Sequence, residues 1–448
     1  MCRLLGYVSL KPESFAQVVG EKLPEFISLS SVHCDGWGVA TFDHNSDESH
    51  LTRAPEIAQS SLTFQETISK TRTDGALLHL RWATSGIPVS ENNTHPFISH
   101  GYSFTHNGAI HPATALDSVI SQKFKIEIKG ETDSERYFDF VIEQAVLAAT
   151  TAKSQLRPAR MAHAWGESDL NIYRREWNGD QDILGEVPGH RVDDSVGVIR
   201  FDDLEGNPIA ILFRYSCHPV VNGAQSPTLS ADFPGPARKI IEKNVGGTVL
   251  FLQGCGGNIN PQVGIGYEKD CSEEVYRMGT ALGAEVVRVA LGLRTNKFQK
   301  DRVLLQNVPN ILFKPWRERT DHPEVILNAS HAIAKFNFVE LPSQQEAAAL
   351  ANHWENEIVE REKRGALTWE IRVAKKMKLW ADSVVAGVAE VKPTRDFEAH
   401  AFRIGDIAIV GLNVEAFFET GEEIRANSPW PDTFVLGYTN GTIMYLPR

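Results

Sequence analysis

The sequence has no apolar run approaching the ~20 residues that a helix needs to cross a bilayer, so no membrane span is expected. A basic stripe interleaved with aromatics is also missing, and the formal net charge is −12. This balance argues against nucleic acid or an anionic membrane as the main partner. The N-terminus lacks a basic stretch followed by an apolar one, and no secretory signal is expected. Cysteine is scarce: Cys2, Cys34, Cys217, Cys255 and Cys271 are odd in number and have no CxxC spacing. They read as reduced thiols of a cytoplasmic protein, not as a disulfide framework or a zinc knuckle. What is present is ordinary soluble globular material, 42% hydrophobic and 23% charged. The 448 residues predict two or three domains.

Residues 4–10, 36–42, 76–81 and 102–106 read as strands, and residues 133–150 carry Phe138, Val141, Ile142, Ala145 and Val146 at helix spacing. Residues 150–160 are polar and patternless, which places a domain boundary there. Beyond it, residues 210–215 and 248–252 read as strands, the second running into the glycine-rich Gln253–Asn258. Helices are predicted over about 272–293 and 367–385, and Ser343 with Glu346 forms a capping box that opens another. Residues 402–411 read as a hairpin around Gly405-Asp406. This alternation predicts a mixed α+β and α/β fold in two domains, over 1–150 and 157–448.

Chemistry concentrates first around Cys2. Removal of Met1 would leave a thiol and a free α-amino group on one residue, and such an amine has a pKa of ~7.7–8.0. An amine of that kind can activate the adjacent nucleophile. The alternative is that Cys2 is merely a small second residue. Four further clusters supply what amide hydrolysis requires: His33–Gly38, Arg81–Gly86 followed by Asn93–Phe97, His106–Ile110, and Gly130–Glu135. Asn107 and Gly108 offer neutral donors for an oxyanion. Arg81 offers a bidentate fork for an α-carboxylate, and Asp133 offers a counter-charge for an α-ammonium. Singly, each has a structural alternative: His106-Asn107-Gly108 as a turn, Asp133 as a helix-start residue, Arg81 as a surface ion pair.

Together, behind Met1-Cys2-Arg3-Leu4-Leu5-Gly6, these clusters resemble the class II glutamine amidotransferases of the N-terminal-nucleophile hydrolase fold over about residues 1–150. The resemblance implies that Cys2 attacks the glutamine side-chain amide, with Asn107 and Gly108 holding the oxyanion. It implies that Arg81 and Asp133 grip the substrate's α-groups and that Trp82, Thr84 and His95 line the pocket. The products would be glutamate and ammonia, the ammonia passing to a synthase or acceptor substrate, with no cofactor. It also implies an αββα sandwich, here only partial because the family's continuation finds no match after about residue 150.

Residues 157–448 resemble a second family, the neutral/alkaline ceramidases. The resemblance rests on Asn171-Ile172-Tyr173-Arg174-Arg175, Tyr215–Pro219, Ser230–Gly235, Gln253–Pro261, Asn413-Val414-Glu415 and Gly437–Pro447. It implies a layered α/β domain and a zinc ion held by His218, Glu415 and Tyr445, a donor set of N and O ligands that zinc accepts. The family's first metal-ligand segment and C-terminal β domain have no counterpart here, and Asn260 stands where the family carries a serine. Three readings follow: a glutamine-hydrolysing enzyme, a zinc-dependent ceramidase-like amidase, and an inactive fusion or gene-assembly chimera.

Overall fold

A computed structural model of the chain describes residues 2–43, 46–179, 182–223, 226, 229–266, 270–299, 302–304, 312–321, 325–337, 341–388, 394–441, 445 and 446. The architecture is mixed α/β and divides into two compact units, Met1–Leu156 and Arg157–Arg448. The unit boundary falls inside the patternless stretch of residues 150–160.

The first unit runs β1 (Arg3–Glu13), α1 (Phe15–Val19), α2 (Leu23–Ser28), β2 (Trp37–Asp43), β3 (Ser46–Ala54), α3 (Leu62–Lys70), β4 (Thr73–Leu80), β5 (Phe97–Ser99), β6 (Tyr102–Phe104), α4 (Gln122–Lys125) and α5 (Asp133–Ser154). Its main sheet has the order β1-β4-β2-β3, antiparallel throughout. Alternate residues Leu5, Tyr7, Trp37, Val39, Ala76, Leu78 and Leu80 face α1–α3, which contribute Phe15, Leu23, Phe64 and Ile68 to one core. The β5–β6 hairpin forms a separate two-stranded ladder. Among the described residues this unit has one larger sheet and that hairpin. The helix α5 extends past the predicted end at residue 150. Thr151, Ala152, Lys153 and Ser154 are exposed and carry no pattern, but each adds one turn bond to a helix already nucleated.

The second unit continues with β7 (Arg160–Glu167), β8 (Asn171–Trp177), β9 (Asp182–Val187), β10 (Ser195–Asp202), β11 (Pro208–Tyr215), α6 (Pro234–Asn244), β12 (Thr248–Gln253), β13 (Ile259–Pro261) and α7 (Ser272–Gly292). Two short ladders follow: β14 (Lys297–Gln299), β15 (Val303–Leu304), β16 (Leu312–Phe313) and β17 (Trp316–Glu318) pair as β14-β17 and β15-β16. The unit ends with β18 (Leu327–Asn337), α8 (Gln344–Lys363), α9 (Thr368–Gly387), β19 (Thr394–Ile404), β20 (Ile407–Leu412), β21 (Glu415–Ala416), α10 (Phe418–Asn427), β22 (Asp432–Leu436) and β23 (Tyr445–Leu446). The capping box at Ser343 and Glu346 is formed, and Gly405 turns the β19–β20 hairpin at φ 64°.

These elements stack as layers. Helices α6 and α7 pack on one face of the sheet β12-β11-β10-β7 through Phe213, Tyr215, Phe233, Leu282 and Val286. The other face of that sheet meets the sheet β18-β19-β20-β22 through Ile199, Ile407 and Phe434. A buried ionic knot ties the layers. Asp193 accepts from Arg214 Nη2 (2.6 Å), Arg425 Nη2 (3.2 Å) and Ser216 Oγ (2.9 Å), while Arg214 Nε also donates to the Val435 carbonyl (3.2 Å). Arg214 is fully buried and Asp193 nearly so.

Burial alone would raise the Asp193 carboxyl, but the guanidiniums of Arg214 and Arg425 outweigh it and hold the group well below the usual carboxylate range. Its contribution to stability is therefore full above about pH 4 and is lost as pH falls from there toward the depressed native value. Asp193→Asn leaves Arg214 buried without its counter-charge and is expected to destabilise the second unit by about 3–5 kcal/mol. An unchanged urea midpoint at pH 7 would contradict this assignment.

Candidate active site

Strand β1 lies antiparallel to β4 with Arg3 opposite Leu80, so Cys2 emerges beside the residues that follow β4. The Trp82 N–H donates to Cys2 Sγ (3.2 Å), and the thiol donates back to the Trp82 carbonyl (3.4 Å). Asn107 Nδ2 donates to the Cys2 carbonyl (3.1 Å). Arg81 is buried, with Nη2 on the Pro88 carbonyl (3.2 Å) and Nη1 on the Asp35 carbonyl (3.5 Å). Asp133 sits in the first turn of α5, capped by Thr132 Oγ1 accepting from Glu135 N (3.2 Å), and its Oδ2 accepts from Ile110 N (2.7 Å).

Cys2, Arg81, Trp82, Thr84, His95, Asn107, Gly108 and Asp133 all line one cavity of about 370 Å³. Residues expected from separate sequence clusters are thus brought to one place. Gly108 is required by packing: a Cβ there would overlap the His106 imidazole. His106 Nδ1 is in turn within 3.0 Å of Ser134 Oγ, which fixes that ring against α5.

His95 forms the back of the cavity and stacks on His79, with ring centroids 4.5 Å apart. Both rings are buried, and among the described residues the His95 nitrogens have no hydrogen-bond partner. Burial, with Arg81 adding to it, lowers His79 to about 3. Burial and then the neighbouring His79 drive His95 well below its ordinary value. These two imidazoles are neutral walls near pH 7.

The sequence reading missed Asp35 as a positioning residue. Its carboxylate accepts from Ala83 N (2.8 Å) and its N–H donates to the Arg81 carbonyl (3.2 Å), so it clasps the turn that carries Arg81 and Trp82. The available signal was Asp35-Gly36, an Asx-type turn pair.

The second unit brings together His218 and Glu415. His218 Nε2 is 3.3 Å from Glu415 Oε2, and its Nδ1 is 3.0 Å from the Ile259 carbonyl. Tyr438, absent from the expected set, is the third member: its hydroxyl donates to Glu415 Oε2 (3.0 Å) and lies 2.9 Å from His218 Nε2. Tyr445 pairs with Glu415 across β21–β23, its side chain also hydrogen-bonds Glu415, and its hydroxyl accepts from Arg174 Nη2 (3.2 Å). Tyr438 had no readable signal because its φ of 57° and its reach to Glu415 exist only in the folded chain. Burial and then Arg174 lower His218, opposed by Ile259 and Glu415; burial and Glu415 raise Tyr438. A carbonyl at Nδ1 makes Nε2 the lone-pair nitrogen, the form that binds a metal. Gly257 backs onto the Glu415 and Ala416 carbonyls, which a Cβ would meet at 2.6 and 2.9 Å.

All five cysteines are free. Cys34 is exposed and Cys2 partly so, whereas burial pushes the Cys217 thiol well up and the Cys255 thiol up to about 12. Iodoacetamide is expected to label Cys34 and Cys2 in the native chain and Cys217 and Cys255 only after denaturation. Native labelling of Cys255, read by peptide mass mapping, would overturn this placement.

Among the described residues no helix is long and apolar enough to cross a membrane. Among curated proteins, the probable glutamine amidotransferase DUG3 of Saccharomyces cerevisiae is 27% identical over 162 residues, 32% of this chain and 45% of that protein. The glutamine–fructose-6-phosphate aminotransferase (isomerizing) of Rhizobium meliloti is 30% identical over 135 residues, 30% of this chain and 21% of that protein. The chain therefore spans less than half the length of these curated relatives. Among solved structures, the neutral ceramidase of Pseudomonas aeruginosa aligns over 71% of this chain and 51% of its own, at 15% identity and a TM-score of 0.41. A glutamine aminotransferase class-II domain protein of Silicibacter pomeroyi aligns over 45% of this chain and 99% of its own, at 19% identity and a TM-score of 0.24. Over residues 1–168, the segment that holds the Cys2 cavity, the chain matches the family model of the class-II glutamine amidotransferases.

Proposed function

We propose that the first unit hydrolyses glutamine at Cys2. The observation that carries this reading is the convergence of a thiol, two oxyanion donors, a buried arginine and an aspartate on one cavity. With Met1 removed, the Cys2 α-amine takes the thiol proton and Sγ attacks the side-chain amide carbon of glutamine. Asn107 Nδ2 already donates to the Cys2 carbonyl, and its second N–H remains for the developing oxyanion, joined by the Gly108 N–H. Ammonia leaves, and water then cleaves the γ-glutamyl thioester to glutamate and free thiol.

The remaining polar groups suit the substrate's α-carbon. Arg81 uses two of its terminal nitrogens on backbone carbonyls and keeps further N–H donors for a carboxylate. Asp133 spends Oδ2 on Ile110 N, which leaves Oδ1 for an ammonium. Glutamine is the substrate proposed, and released ammonia would be used by a synthase partner or acceptor substrate. Removal of Cys2 as Cys2→Ala is expected to abolish glutamate release, and Asp133→Asn to raise KM by about 10²-fold, the equivalent of about 2.7 kcal/mol. Glutaminase activity persisting in Cys2→Ala would end this reading.

A second reading rests on the His218–Glu415–Tyr438 triangle. Its donor set and the His218 tautomer fit zinc, with the Tyr438 and Tyr445 phenols both beside Glu415. Zinc bound there would supply Lewis-acid polarisation and an activated water for amide cleavage. His218→Ala is expected to lower zinc content by one equivalent after chelation and reconstitution. Unchanged metal stoichiometry would remove this reading.

A further inference from the structure

The edge strand β18 carries an imidazole that meets a second imidazole and a carboxylate from β19. His331 lies directly opposite His400 in the antiparallel register, and the two ring centroids are 4.6 Å apart. Glu398 is two residues from His400, so it projects from the same face of the pair. Its Oε2 is 3.8 Å from His331 Nε2 and 3.7 Å from His400 Nε2. The three candidate ligand atoms all lie within 4.8 Å of one another.

Two local features prepare this cluster. Asn440 Nδ2 lies 3.1 Å from His400 Nε2. An amide NH₂ can only donate, so His400 Nε2 accepts from Asn440 and carries its lone pair there, and an ion at Nε2 would displace that hydrogen bond. The Glu398 backbone is fixed on both sides by Asn413, which accepts from Glu398 N at Oδ1 (3.0 Å) and donates its own N–H to the Glu398 carbonyl (3.2 Å). The carboxylate is thus anchored at its root, while its tip and His331 remain free to adjust, being 45% and 47% exposed.

We propose that His331, Glu398 and His400 bind a divalent first-row transition ion, separate from the His218–Glu415–Tyr438 triangle. Two imidazole nitrogens and one carboxylate oxygen suit zinc, cobalt or nickel, and disfavour calcium and magnesium, which take oxygen ligands. Ligand bonds of about 2.0–2.2 Å put tetrahedral ligand atoms about 3.3–3.5 Å apart. The two Glu398 distances are within a few tenths of an ångström of that, and the half-exposed His331 ring would rotate to bring the remaining separation, within 4.8 Å here, into range. The ion would staple β18 to β19, and its nearest loop, residues 438–440, also carries Tyr438.

The test uses the full chain in the His218→Ala background, so that it does not depend on the second reading above. Zinc titration by calorimetry is expected to give about one equivalent with a Kd below about 10 μM, and cobalt to give visible d–d absorption. Adding His331→Ala or His400→Ala is expected to abolish both signals and to erase the zinc-induced rise in Tm. Circular dichroism of the metal-free variants checks that the fold is kept; if His400→Ala misfolds, the half-exposed His331→Ala alone decides. Zinc binding that survives both substitutions, or no uptake in the His218→Ala chain at 100-fold that Kd, would overturn the proposal.

Discussion

The antiparallel register of β1 on β4 is the constraint on which the Cys2 cavity depends. Arg3 opposite Leu80 brings residue 2 to residue 82, and the reciprocal hydrogen bonds between Cys2 Sγ and the Trp82 backbone lock that meeting. A slip of one residue would turn Leu5, Tyr7, Leu78 and Leu80 away from the helical layer they pack against. The apolar core under α1–α3 therefore holds the register, and the register aims the thiol. The site is set by hydrophobic burial on the far face of the same sheet.

Electrostatics then separates the roles of similar residues. His79, His95 and His218 are all pushed toward the neutral form by burial. The first two stack on each other and act as walls, whereas His218 is tied at Nδ1 and faces a carboxylate. The distinction lies in the partners, not in the burial. In the second unit, Asp193 stays ionised in the core because Arg214, Arg425 and two hydroxyl-bearing serines surround it. The same carboxylate without these neighbours would be neutral there.

Much of both units was legible before folding. The strands expected over 4–10, 36–42, 76–81, 210–215 and 248–252 and the helix from Ser272 all form, with β2 starting at Trp37 and β4 ending at Leu80, because each has a strong apolar period or a clear cap. Helices α1–α3 were not legible: they run five to nine residues, too short for a periodic signal to emerge. β3 was missed as well, since at a sheet edge its sequence is polar almost throughout and carries no apolar alternation. Asp35 and Tyr438 escaped for a different reason. Their partners are 48 and 23 residues away, and no local pattern encodes such a contact.

By itself, the sequence named the residues that line the Cys2 cavity, a mixed α/β organisation, and His218 with Glu415 as chemistry worth joining. Residue types, caps and turn signals are local properties and survive reading in one dimension. Tertiary structure alone decided that Tyr438 joins His218 and Glu415, that Asp35 holds the Arg81–Ala83 turn, and that His331 meets Glu398 and His400. Each of those outcomes depends on cross-strand register or loop closure, where an offset of one residue changes every partner.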